Sequence, residues 1–239
     1  MPAARVKICG VTRLEDARLA IELGADALGF NFYEKSPRCL APADAWKILR
    51  KLPALVSTVG VFVNWDSASI VALAKSLRLS AVQLHGDESA AISAECARHF
   101  PVIKAFRTES KFQFTQFWEH NVAASFLLDA AAAKTKSENY GGTGRLADWK
   151  IAKRAAKKYP ILLAGGLAPE NVAQAILTVH SYAVDVASGV ESSPGKKDPA
   201  KLRAFFAEVY RANRTLAFSS GGRSLPAAGR HAAPFPATM

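Results

Sequence analysis

Cys9 closes the run Val6-Lys7-Ile8-Cys9 and is followed by Gly10, a pattern that reads as a strand ending in a turn. Side chains alternate along a strand, so Lys7 points to the same side as Cys9, and a nearby ammonium lowers a thiol pKa from about 8.5 toward neutrality. The resulting thiolate could take a proton. Asp129 follows the run Ser125-Phe126-Leu127-Leu128, where partial desolvation favours the protonated, proton-donating form of a carboxyl. Each has a plainer reading: Cys9 as an inert core residue, Asp129 as a carboxylate capping the next loop. Arg38, in the loop segment Ser36-Pro37-Arg38, carries a planar fork suited to a carboxylate; without that ligand it is an exposed loop arginine. His85, after Gln83-Leu84, is either a buried neutral imidazole or a proton carrier.

The stretch Ile161 to Glu191 reads as strand, Gly-Gly turn, helix, strand and a second small-residue turn. Gly165-Gly166 lets the backbone approach a ligand, and Ser188-Gly189-Val190 follows its strand with unprotected N–H groups. Such turns bind anions near helix N-termini, although either alone could simply reverse the chain. Two of them one βα unit apart suggest a single phosphate. An acid, a base and a phosphate grip, with neither a metal cluster nor a nicotinamide fingerprint, suit a proton-shuffling isomerisation of a sugar phosphate. Arg38 adds a carboxylate at the substrate's other end.

These residues must be carried by a regular scaffold. Strand patterns at Val6–Cys9, Ala27–Phe30, Thr58–Val63, Ala81–Leu84, Val102–Ala105, Ser125–Leu128, Ile161–Leu163 and Ala183–Val186 alternate with helical ones. Thr12 with Glu15 reads as a capping box for the first helix, Pro42 opens the second, and Lys111 to Glu119 is an aromatic-rich fifth. The last helix is expected from Asp198 to about Tyr210. Eight βα units form either a closed barrel or a doubly wound sheet. The missing early Gly-x-Gly-x-x-Gly turn and the late phosphate turns favour a single (β/α)8 TIM barrel over residues 1–210, with its site at the C-terminal strand ends. Cys9, Arg38, Gln83, His85, Asp129 and both phosphate turns would then meet at one mouth.

At 239 residues, half of them hydrophobic, the chain suits one such domain. No apolar run approaches the length of a membrane span, and Met1 to Arg5 lead straight into a strand without a signal core. Cys9, Cys39 and Cys96 lack zinc-site spacing and are expected as reduced cytoplasmic thiols, the latter two structural. A net charge of +11 raises nucleic acid as a partner, but neither a binding motif nor an aromatic-interleaved basic stripe accompanies it. Lys150, Lys153, Arg154, Lys157 and Lys158 share one helical face opposite Ile151, Ala152, Ala155 and Ala156, as a solvated outer surface does. Residues 211–239 are basic, low in complexity and free of acids, and are expected to be a disordered tail.

Lys7-Ile8-Cys9-Gly10, Ser36-Pro37-Arg38, Gly60-Val61-Phe62, Gln83-Leu84-His85-Gly86, Gly141-Gly142-Thr143-Gly144 with Trp149, Leu163-Ala164-Gly165-Gly166-Leu167 with Pro169-Glu170-Asn171-Val172, and Asp185 with Ser188-Gly189-Val190-Glu191 form an ordered series. From about Val6 to Tyr210 the chain resembles the phosphoribosylanthranilate isomerases of tryptophan biosynthesis. It departs at Leu146-Ala147, where an aromatic residue is usual, and in the tail. The resemblance implies a cofactor-free, metal-free Amadori rearrangement of N-(5-phosphoribosyl)anthranilate by a monomer or homodimer. By it, Asp129 is the general acid, Cys9 the general base and Arg38 the clamp on the anthranilate carboxylate. Gly165, Gly166, Ser188 and Gly189 would hold the phosphate, and Gln83, His85, Gly142, Gly144 and Asp185 join the substrate-binding set. The related histidine-pathway isomerase would use two carboxylates, and indoleglycerol phosphate synthase a lysine and a glutamate; Cys9 and Asp129 fit neither.

Overall fold

The structure, a computed structural model, describes residues 3–108, 112–129 and 149–219. Eight strands close into a parallel barrel in sequence order: β1 (Arg5–Ile8), β2 (Ala27–Asn31), β3 (Ser57–Phe62), β4 (Ala81–Leu84), β5 (Val102–Arg107), β6 (Ser125–Asp129), β7 (Ile161–Leu163) and β8 (Ala183–Val186). The alternating helices are α1 (Leu14–Glu22), α2 (Pro42–Leu49), α3 (Ser67–Ser76), α4 (Ala90–Ala97), α5 (Thr115–Glu119), α6 (Trp149–Ala156), α7 (Val172–Val179) and α8 (Pro199–Ser219). β1 pairs with both β2 and β8, which closes the ring.

Period-two alternation splits every strand between two environments. In β6, Phe126 and Leu128 belong to the large apolar layer between strands and helices, whereas Leu127 packs inside the barrel with Ala105, Leu162, Ala164 and Ala183. Asp129 continues the inward series. The same alternation sends Val6 and Ile8 outward and carries Lys7 and then Cys9 inward, and it gives Gln83 and Asp185 their interior places. The register sets Lys7 opposite Asp185, so the barrel interior receives an ion pair with Nζ to Oδ1 at 2.7 Å. The outer layer is aromatic behind β5 and β6: Phe117 of α5 is fully buried, its ring centroid 4.5 Å from Phe126 and 4.9 Å from Tyr159. On α6, Ala152 and Ala155 are buried while Lys150, Lys153 and Arg154 are exposed, as the charge pattern predicts.

Two local expectations are corrected, and one element was not foreseen. Thr12 does not cap α1, whose N-cap is Arg13; its hydroxyl instead donates to the Gly195 carbonyl. Gly195 turns a two-stranded hairpin, β9 (Glu191–Ser193) with β10 (Lys196–Lys197), that no alternation in the sequence announces because it is so short. Most consequential, α8 does not stop near Tyr210 but continues to Ser219. Asp198 starts it by accepting from the N–H groups of Ala200 and Lys201, and Phe205, Val209, Ala212 and Leu216 then bury one face. Asn213 ties that helix to the chain start, accepting from Ala4 N–H at 2.8 Å and donating to its carbonyl at 3.0 Å. The remainder of the expected tail, residues 220–239, lies outside the described residues, as do Gly142, Gly144 and the Leu146-Ala147 departure. Among the described residues no helix is long and apolar enough to cross a membrane.

Candidate active site

A cavity of about 240 Å³ opens at the C-terminal ends of the strands. Cys9, Arg38, Gln83, His85 and Asp129 line one part of it. Gly165, Gly166, Asp185 and Ser188 line another, so nine of the expected residues share one space. Gly189 does not face it. A Cβ on Gly189 would run into the carbonyl oxygen of Leu167, so this glycine serves the close packing of the β8 turn against the β7 turn.

Cys9 is not part of the apolar core, and Lys7 is not the only charge that acts on it. Its thiol faces the cavity, and Gly29 of β2 makes room for it: a Cβ there would stand 2.9 Å from Cys9 Sγ and 3.1 Å from Lys7 Nζ. The expected downward shift is corrected, because burial pushes the thiol above its ordinary range against the opposing pull of Lys7 and Lys197. Lys7 is shared with Asp185. Burial works against its charge, yet Asp185 and Cys9 beside it hold the ammonium above the usual lysine range. At neutral pH fewer thiolates form than Lys7 alone would give, but each is a stronger base.

Asp129 is buried at the end of β6, and its Oδ2 lies 3.3 Å from His85 Nε2. Gln83, two residues before His85 and on the same inward face, brings its amide nitrogen to 2.7 Å from Nδ1. With that amide donating, the neutral imidazole carries its proton on Nε2, facing Asp129. His85 therefore belongs to a chain of polar groups reaching the carboxyl rather than to the core.

Arg38 is not a free loop arginine. Its Nε lies 2.9 Å from Glu191 Oε1 and its Nη2 2.6 Å from Oε2, a bidentate fork. Glu191 uses two of the guanidinium's five donors on its own oxygens and fixes the plane of the rest at the cavity wall. Burial opposes the charge on Glu191, but Arg38 and Lys197 hold its carboxyl below the ordinary glutamate range. Residue-by-residue reading left Glu191 and Lys197 out of the site; they sit in the short hairpin, where only tertiary register reveals a role.

Gly165 and Gly166 adopt φ of 84° and 66°, a left-handed pair available to glycine at little strain. Among the described residues, no backbone carbonyl accepts from the N–H groups of Gly165, Gly166, Ser188 or Gly189. The four residues lie just beyond the ends of β7 and β8, with Gly165, Gly166 and Ser188 lining the cavity. Among the described residues, no three His, Cys, Asp or Glu side chains form a group suited to hold a metal ion.

A closed (β/α)8 barrel with a thiol, a carboxyl and glycine turns gathered at its C-terminal strand ends is of the class of barrel enzymes that act on small anionic molecules. The sequence profile described as N-(5'phosphoribosyl)anthranilate (PRA) isomerase matches residues 6–208. An N-(5'-phosphoribosyl)anthranilate isomerase of Geobacter metallireducens is 49% identical over 201 residues, 84% of this chain and 96% of that one. A crystal structure of phosphoribosyl anthranilate isomerase from Thermus thermophilus is 40% identical with a TM-score of 0.78, covering 87% of this chain and 98% of its own. Another, solved with reduced 1-(o-carboxyphenylamino)-1-deoxyribulose 5-phosphate, is 39% identical with a TM-score of 0.76, covering 87% and 99%. The chain belongs to the N-(5'-phosphoribosyl)anthranilate isomerase family.

Proposed function

We propose that this chain converts N-(5-phosphoribosyl)anthranilate to 1-(2-carboxyphenylamino)-1-deoxyribulose 5-phosphate, an intramolecular oxidation and reduction in tryptophan biosynthesis, in the cytoplasm. The observation that carries the reading is that one cavity unites a thiol, a carboxyl, a held arginine fork and two glycine turns. Protonated Asp129 donates to the furanose ring oxygen, and the ring opens to an iminium ion. The Cys9 thiolate then removes the C2 proton, giving an enolamine that tautomerises to the ketone by taking a proton at C1.

Arg38, with its plane set by Glu191, holds the anthranilate carboxylate through its remaining donors. The turns at Gly165-Gly166 and Ser188-Gly189 hold the phosphate, and the family likeness assigns Gly142 and Gly144 to substrate binding as well. Gln83 and His85 orient Asp129, and Asp185 shares Lys7 with the thiol.

Anthranilate derivatives fluoresce, so the test follows the fluorescence of freshly made substrate with purified full-length protein in excess chelator. The reading requires enzyme-dependent loss of signal and a ketose phosphate product by mass and NMR. Unchanged decay relative to buffer would refute it, and activity abolished by chelator would refute the cofactor-free part.

A further inference from the structure

Lys197 of β10 does not line the cavity, and its side chain is fully buried. Its ammonium meets three oxygens: the Cys9 carbonyl at 2.6 Å, the Ala187 carbonyl at 3.2 Å and Glu191 Oε1 at 2.9 Å. Three acceptors match the three N–H donors of a lysine ammonium. Each belongs to a different part of the candidate site. Cys9 carries the thiol, Ala187 immediately precedes the Ser188-Gly189 turn, and Glu191 grips Arg38.

The hairpin that delivers Lys197 is fixed at several points. Lys197 N–H donates to Asp16 Oδ2 of α1 at 2.9 Å, the Thr12 hydroxyl donates to the Gly195 carbonyl, and Asp198 N–H donates to Val190 at 2.8 Å. Stability alone is a weak reason for such burial, since well-packed apolar side chains often serve as well as a buried ion pair. An apolar side chain could neither hold the carbonyls of two neighbouring strand ends nor place positive charge near a thiol.

We propose that Lys197 is a positioning residue for the isomerisation, a single buried ammonium that fixes the main chain of the base, the anchor of the phosphate turn and, through Glu191, the arginine fork. This rests on the isomerase reading. Charged groups face the Cys9 thiol from three strands: Lys7 of β1 and Lys197 of β10 favour the thiolate, while Asp185 of β8 opposes it. Lys197 therefore also eases ionisation of the thiol that burial resists.

The test uses Lys197→Met and Lys197→Gln in the full chain, the second keeping two N–H donors without the charge. Folding is checked by a melting curve, and alkylation of Cys9 by iodoacetamide is followed against pH, resolved from Cys39 and Cys96 by peptide mass. The Cys9 midpoint should rise by about one pH unit, and kcat near neutral pH should fall about tenfold and recover on the alkaline side. A folded variant with the parent's Cys9 midpoint overturns the proposal, as does a kcat loss equal at every pH. Failure of both variants to fold also overturns it, by making Lys197 a purely structural post. Alkylation reads the thiol whatever the site catalyses, so a parent that fails to turn over the substrate would sink the function reading while the midpoint shift still decides whether Lys197 acts on Cys9.

Discussion

Around Cys9 the dominant influence is burial, and the lysines only partly offset it. The thiol must lose its proton to act as a base, and its pKa lies above the ordinary value. Alkylation of Cys9 by iodoacetamide should therefore quicken about tenfold per pH unit through the neutral range and level off only above the usual thiol range. A flat rate there would mean that the thiol is already ionised. Stability runs the opposite way with pH: the neutral thiol's contribution is intact below the ordinary value and is lost as pH rises through the raised one. Arg38→Met should weaken binding of a carboxylate-bearing product analogue by about 1.5 to 3 kcal/mol, the loss of a charged hydrogen bond. Isothermal titration checks this, and parent-like affinity would remove Arg38 from the carboxylate. Cys9, Gln83, His85 and Asp129 were legible in the sequence because each lies at or just beyond a strand end, where alternation and chemistry coincide, and Arg38 because of its guanidinium in the loop after β2. Asp185 as the partner of Lys7, and Glu191 and Lys197 as supports, depend on register between segments far apart in sequence.

The barrel's elements follow from short apolar runs separated by helical patterns, and for that reason the eight strands were readable one by one. The end of α8 was not. Arg211 and Arg214 lie exposed and dominate the local composition, while the buried Ala212 and Leu216 are too few to show a helical period by themselves. What makes that turn stable is its docking, which composition does not reveal. A truncation after Ala212 removes the buried Leu216 and the Asn213 bonds to Ala4, together roughly 3 kcal/mol. Its Tm should fall by about 6 °C or more. Removing only residues 220–239 should leave Tm and turnover unchanged, as the low apolar content of that stretch suggests. Equal melting points for both truncations would mean that the last turns of α8 add nothing.

Across the whole molecule, the proposed mechanism divides proton transfer between β1 and β6, strands that do not adjoin in the barrel, and sets its anion turns on β7 and β8 between them. The closed sheet is what holds these parts in one frame, and the excess of basic residues helps draw in a doubly anionic substrate. The central claim is that Cys9 and Asp129 act as base and acid on one substrate. The most direct measurement is the steady-state rate of fluorescence loss from N-(5-phosphoribosyl)anthranilate with Cys9→Ser and with Asp129→Asn, each confirmed as folded by its melting curve. The account predicts a fall in kcat of about 100-fold or more for each; a near-parental kcat in either variant would contradict it.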